Sequence, residues 1–266
     1  MEGQAGAVKA SPDGFVGGFD SGVGGISVLR SLVAELPHED FRFFGDSAHA
    51  PYGEKSEAQV MAYARQIVDD FLTQGAKAIV IACNTATSVA AEALRAENPH
   101  VPIVGIEPAL KPATQEPGHG LVLVMATQIT LRLDKYHELA RACGAGDDVV
   151  SVPCPGLAAR IERGDLDADD LRDLLEGYLG GYVGRVRSVV LGCTHYPFVR
   201  RQIARVLGPG VRFFDGGEGT ARQLRARLGQ EGLLSPRARR GEVCLASSLD
   251  TPEELALYRE FLSLPL

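Results

Sequence analysis

Along this chain, short apolar runs rich in Val, Ile and Phe alternate with segments whose apolar residues recur three and four apart. No other feature limits the fold as much. The runs fall at residues 15–19, 41–44, 78–82, 103–106, 121–124, 149–152, 188–191 and 211–214, and read as buried strands. Between them, residues 58–72 place Val60, Tyr63, Ala64, Ile67, Val68 and Phe71 on one stripe, and 171–183 and 26–36 behave alike, as amphipathic helices. Strand then helix, repeated this often, predicts parallel strands joined by right-handed crossovers, an α/β fold.

The pattern also repeats at long range. Phe19, Phe44, Ile81 and Val104 correspond to Leu123, Val150, Leu191 and Phe214, at offsets of 104, 106, 110 and 110 residues. The third pair is closest in wording, Ala78-Ile-Val-Ile-Ala-Cys83-Asn84-Thr85 against Ser188-Val-Val-Leu-Gly-Cys193-Thr194-His195. The expectation is two similar three-layer α/β domains with mostly parallel sheets, related by a pseudo-twofold. Open parallel sheets bind ligands at the carboxyl ends of their strands, which puts the active site in the cleft between the halves. Residues 1–12 read as a flexible tail, 13–110 with 219–266 as the first domain, and 111–218 as the second. Residues 242–266 read as one more strand and a helix returning to the first half, and Arg237 to Arg240 as a solvated loop.

Composition removes several classes of function. Lys and Arg number 27 against 34 Asp and Glu, a net charge of −7, which argues against nucleic acid as the main ligand. The longest apolar runs are too short for a bilayer, and the first residues hold no secretory core, so no membrane association and a cytoplasmic setting are expected. The five cysteines are odd in number and widely spaced without a CxxC pair, which disfavours a disulfide framework or any metal site.

Cys83 and Cys193 each end a buried strand just before a helix, where backbone N–H groups and the helix dipole stabilise a thiolate. A facing pair of thiols is suited to taking a proton from one face of a carbon and returning one to the other. Redox cycling of the pair is the competing use. Cys143, Cys154 and Cys244 lack polar company and read as structural. In Gly17-Gly18-Phe19-Asp20-Ser21-Gly22-Val23-Gly24-Gly25 a strand enters a glycine-rich turn carrying an acid and a hydroxyl. The Gly-Lys-Ser/Thr ending of a P-loop is missing, and Asp20 would repel phosphate, so the carboxylate suits a substrate ammonium or a thiol proton. Gly53, in the loop after Asp46, lets backbone N–H groups approach a carboxylate. Asn84, Thr85 and Thr194 offer neutral donors beside the thiols, and His195 is placed to relay protons to Cys193.

Four blocks, Gly18-Phe19-Asp20-Ser21-Gly22-Val23-Gly24-Gly25, Pro51-Tyr52-Gly53-Glu54-Lys55-Ser56, Ala82-Cys83-Asn84-Thr85-Ala86 and Leu191-Gly192-Cys193-Thr194-His195-Tyr196-Pro197, resemble the signatures of the aspartate/glutamate racemase family, on its glutamate side. The resemblance runs from about residue 14 through the final helix. It implies an isomerase without cofactor that interconverts L- and D-glutamate and supplies D-glutamate for peptidoglycan. By the same resemblance Cys83 and Cys193 are the acid/bases, assisted by Asp20 and His195. Substrate contacts then fall on Asp20, Ser21, Tyr52, Gly53, Asn84, Thr85, Thr194 and His195. Two stretches depart from the family pattern. Leu133 stands where a serine is usual, and the segment after Cys154-Pro155 differs, so Glu162, although it keeps its spacing, is assigned no catalytic role. A small-molecule substrate is the only partner implied, with homodimerisation left open. The alternatives are an aspartate- or hydantoin-type racemase, a reversible Cys83–Cys193 redox protein, and a module that binds glutamate without exchanging its α-proton.

Overall fold

The computed structural model describes residues 11–144 and 146–266. Most of the tail expected at 1–12 lies outside the described residues. In chain order the elements are β1 (Phe15–Asp20), α1 (Ile26–Glu35), β2 (Phe41–Gly45), α2 (Glu57–Thr73), β3 (Ala76–Ile81), α3 (Asn84–Glu97), β4 (Ile103–Gly105) and α4 (Leu110–Gln115). Then come β5 (Leu121–Ala126), α5 (Gln128–Arg132), α6 (Asp134–Ala142), β6 (Val149–Pro153), α7 (Leu157–Ile161), α8 (Asp169–Leu179), β7 (Val186–Leu191), α9 (Arg200–Leu207) and β8 (Arg212–Asp215). The chain ends in α10 (Gly217–Gln230), β9 (Val243–Ser247) and α11 (Pro252–Ser263).

All strand pairings are parallel and form two sheets. The first runs β4-β3-β1-β2-β9 and the second, from its corresponding edge, β8-β7-β5-β6. Removing β9 makes the orders identical under the repeat. The correspondence extends to a detail: β1 and β3 slip register between Phe15 and Val16, and β5 and β7 slip between Leu121 and Val122. The register keeps the pairing of Ile81 with Leu191 and Val104 with Phe214 and corrects the other two: Val16 corresponds to Val122 and Phe41 to Val149, so Phe19 matches Met125 and Phe44 matches Val152, each two residues later than the apolar runs alone suggest.

Each sheet is sandwiched. In the first, Phe15, Phe19, Ile79 and Ile81 pack with the apolar stripes of α2 and α3, while the alternating Val16, Ala78 and Val80 join α1, α10 and α11 in a second core. In the second sheet, Val122, Val124 and Val190 pack with α4 and α6, and Leu123, Met125, Val189 and Leu191 with α7, α8 and α9. Period-two alternation on strands that are buried on both faces produces this division. The larger core runs on from one sheet to the other, through Val23 and Ile26 of the first turn and Tyr196 and Phe198 after β7. The returning α11 adds Tyr258 on Phe43 and Phe261 on Phe198, touching residues of both halves.

Two local departures from the sequence reading have simple causes. Leu133 occupies the cap position of α6 and caps nothing, which is what replacing a serine there costs. Arg237 is not simply solvated: it pairs with Asp40 at 2.5 Å, and Arg239 reaches the same carboxylate at 3.8 Å. Among the described residues, no helix is long and apolar enough to cross a membrane.

Candidate active site

The repeat brings the two thiols into one cavity. Past the ends of β3 and β7, Ala82 N–H donates to the carbonyl of Phe19 and Gly192 N–H to that of Met125, both at 2.7 Å. Cys83 and Cys193 are the next residues and occupy equivalent places in the two halves. They line a small cavity together with Ser21, Pro51, Tyr52, Gly53, Asn84, Thr85, Thr127, Ala158, Gly192, Thr194 and His195. Its volume is about 10 Å³, room for a single water. A larger open groove of about 720 Å³, bordered by Glu107, Arg200 and Asp215, contains neither thiol.

The two thiols have different support. Cys83 is the residue before α3, and its Sγ accepts from the N–H of Ala86 at 3.5 Å. Burial first, and then the nearby Asp20 carboxylate, push the Cys83 thiol well above its ordinary range. Asp20 is itself completely buried, and burial raises it although His195 and hydrogen bonds pull it down. Its oxygens accept from Ser21 N–H at 2.7 Å and from Thr194 Oγ1 at 2.9 Å, the second bond crossing between the halves. Asp20 therefore lies behind Cys83 and is not one of the cavity's lining residues.

Cys193 Sγ lies 3.6 Å from Nδ1 of His195, whose Nε2 faces Oε1 of Glu162 at 2.5 Å. Burial alone would depress His195. The Glu162 charge, and then hydrogen bonds to Cys193 and Glu162, outweigh it and hold the imidazole well above its ordinary value. Glu162 Oε1 also accepts from Val23 N–H at 3.0 Å, so this acid from the second half touches the first glycine-rich turn. The glycines there are required: a Cβ on Gly22 would sit 2.0 Å from Glu162 Oε1, and one on Gly24 2.4 Å from His195 Nδ1.

The neutral groups complete the lining. Asn84 Oδ1 is buried without a hydrogen-bond partner. Thr85, Thr127 and Thr130 share a hydroxyl cluster, with Oγ1 separations of 3.2, 3.4 and 2.9 Å, joining the first half to α5. Gly53 approaches Thr127 so closely that a Cβ would be 2.9 Å from its side chain. Tyr52 is fully buried and gives its hydroxyl to Asp46 at 2.6 Å, so the cavity receives its ring and backbone.

Apart from the buried Asp20, every site residue singled out from the sequence lines this cavity. Sequence reasoning names Glu162 without giving it a role, and it leaves Thr127 out of the site. Glu162 looks like an ordinary helix-end acid in a stretch that departs from its family's pattern. Thr127 becomes legible only from the structural register, in which Val16 corresponds to Val122 and the same 106-residue offset carries Ser21 onto Thr127. Of the three remaining cysteines, Cys154 is buried as a structural thiol should be, whereas Cys244 is exposed on the edge strand β9.

Two α/β halves that each place one thiol in a shared small cavity form an arrangement suited to two-sided proton transfer. The chain belongs to the Asp/Glu/Hydantoin racemase family, which it matches over residues 16–224. It is 43% identical over 258 residues to a glutamate racemase of Clostridium perfringens, covering 97% of this chain and 98% of that one. The crystal structure of glutamate racemase from Thermus thermophilus in complex with β-chloro-D-alanine has a TM-score of 0.79 at 37% identity, covering 96% of this chain and 94% of that one. The Francisella tularensis glutamate racemase in complex with D-glutamate gives 0.81 at 27% identity, covering 96% of each chain.

Proposed function

We propose that this protein interconverts L- and D-glutamate by two-base catalysis at Cα. The observation that carries the reading is the pair of cysteines at equivalent strand ends in one cavity, one from each half. One thiolate takes the α-proton while the opposite neutral thiol delivers another, and their protonation states are exchanged after each turnover. Asp20 assists Cys83, and His195, held by Glu162, assists Cys193. The orphaned Asn84 Oδ1 is the acceptor a substrate ammonium needs, and the hydroxyls of Ser21 and Thr85 with the backbone of Tyr52 and Gly53 are donors for its carboxylates, while Thr194, whose hydroxyl is given to Asp20, borders the substrate. The chemistry uses protein groups throughout and calls for no cofactor. With so little space beside the thiols, substrate binding in this reading involves a parting of the halves. In this reading, residues 13–110 with 219–266 and residues 111–218 move as the two bodies, and the enzyme supplies D-glutamate for peptidoglycan in the cytoplasm. The test is proton NMR of L-glutamate in D₂O without added cofactor, together with chiral analysis. Loss of the α-proton signal with formation of D-glutamate is expected; a folded, reduced protein that exchanges aspartate and not glutamate would overturn the substrate assignment.

A further inference from the structure

Asp46 directly follows β2, and its backbone N–H donates to the Asp20 carbonyl at 2.9 Å, which anchors it to the centre of the first sheet. Its side chain is buried, yet it is not among the residues that line the cavity. Both carboxylate oxygens are engaged. Oδ2 accepts from the Tyr52 hydroxyl at 2.6 Å, and Nδ1 of His49 lies 2.8 and 3.0 Å from Oδ1 and Oδ2. His49 stacks on the Tyr63 ring of α2 at 4.0 Å, and the Tyr52 ring stacks on the same Tyr63 at 5.8 Å.

The geometry points to Asp46 as a positioning residue: it fixes Tyr52, and through Tyr52 the turn at residues 51–54 that delivers the Tyr52 ring and the Gly53 backbone to the cavity. A short turn holds a backbone donor in place only if something immobilises it, because unrestrained loop residues must be ordered again at every binding event. A phenol donating to a buried carboxylate is a strong restraint, and losing the acceptor leaves the buried hydroxyl unpaired. At the corresponding place in the second half, where Cys154 N–H donates to the Ala126 carbonyl, there is no acid. The two halves thus differ in function here: one presents a clamped turn to the ligand and the other a thiol buried in the core.

The inference rests on the proposed reading for its kinetic arm and is independent of it for its structural arm. Asp46→Ala is expected to raise the KM for glutamate about tenfold, the value of one hydrogen bond to a charged group, with kcat within about threefold. Asp46→Asn, which keeps an oxygen acceptor for Tyr52, should lose less, and Tyr52→Phe should match Asp46→Ala. The double variant should be no worse than either single one, since both cut the same link. In the protein without substrate, hydrogen–deuterium exchange of residues 47–55 should quicken in Asp46→Ala and Tyr52→Phe and stay near the parent in Asp46→Asn. Additive KM effects, or unchanged exchange in that segment for folded Asp46→Ala, would overturn the inference. A parent protein that fails to racemise glutamate would instead overturn the functional reading, and the exchange measurement would still decide the clamp.

Discussion

Replacing Glu162 by Gln keeps the shape of the site and removes one charge. In the parent the carboxylate lies 2.5 Å from His195 Nε2, with the Glu162 side chain 16% exposed and that of His195 2%, so solvent screens the pair little. A hydrogen bond between ionised partners contributes about 1.5–3 kcal/mol. Taking about 2 kcal/mol as expressed in the transition state gives roughly a 30-fold drop in kcat/KM. The drop must be equal in both directions, because L- and D-glutamate have the same free energy in water. The pH response follows from the same pair. The folded protein holds His195 well above its ordinary 6.5, so the pair's full contribution to stability is present below about pH 6.5 and fades as pH rises through the raised value. In Glu162→Gln burial prevails, the imidazole loses its proton earlier, and that loss of stability on the alkaline side disappears. Progress curves of racemisation and urea unfolding across pH 6 to 10 measure both effects. If Glu162→Gln stayed within twofold of the parent with the same pH dependence, the assignment of Glu162 as the support of the Cys193 side would be wrong.

Cys83→Ser and Cys193→Ser should each lower racemisation by about 10²–10⁴-fold, the usual yield of a general acid or base, while α-proton exchange from the untouched face persists; a fully active single variant would refute the two-thiol mechanism. Lys77 and Glu39 form a buried pair at 2.5 Å away from the site, with Lys77 Nζ also donating to the Pro12 carbonyl and Glu39 Oε1 accepting from Ser235 N–H. Lys77→Met should cost about 3–5 kcal/mol in urea unfolding by stranding a buried carboxylate, and adding Glu39→Gln should recover most of it; a second substitution that only adds to the loss would show that the pair is not the cause.

Much of this architecture can be read from the chain because strands buried on both faces leave unbroken apolar runs, and a tandem repeat shows itself as a nearly constant offset. The eight strands read from sequence and the additional strand near the C-terminus are all present, and of the eight all but β4 and β8 are longer than their apolar runs. β3 begins two residues early because Lys77, charged yet fully buried against Glu39, interrupts the apolar signal. The thiols are legible because a cysteine at a strand end has local neighbours that reveal its role. Glu162 and Asp46 are not, because an acid's role depends on what faces it across space. Glu162 meets a histidine 33 positions later and a turn 139 positions earlier, and neither separation leaves a periodic trace.

The unequal support of the two thiols has a consequence that equal kcat/KM values conceal. Burial and Asp20 raise the Cys83 thiol well above its ordinary range, while His195, held well above its own by Glu162, places a cation beside Cys193, so negative charge is opposed more on the Cys83 side than on the Cys193 side. The enantiomer whose α-proton faces Cys193 therefore meets the better supported base, and the other meets the more strongly opposed one. That difference enters kcat and KM separately, so the two enantiomers should show unequal KM values with kcat in the same proportion. Asp20→Asn removes the anion that opposes ionisation of Cys83, and Glu162→Gln removes the anion that maintains the cation beside Cys193. Both substitutions shift charge from the Cys193 side to the Cys83 side. The ratio of the two KM values should thus move in the same sense in both variants, even though one alters the first half and the other the second. Opposite movement would mean that the resting charge is not distributed as the burial and pairing of Asp20, Cys83 and His195 require.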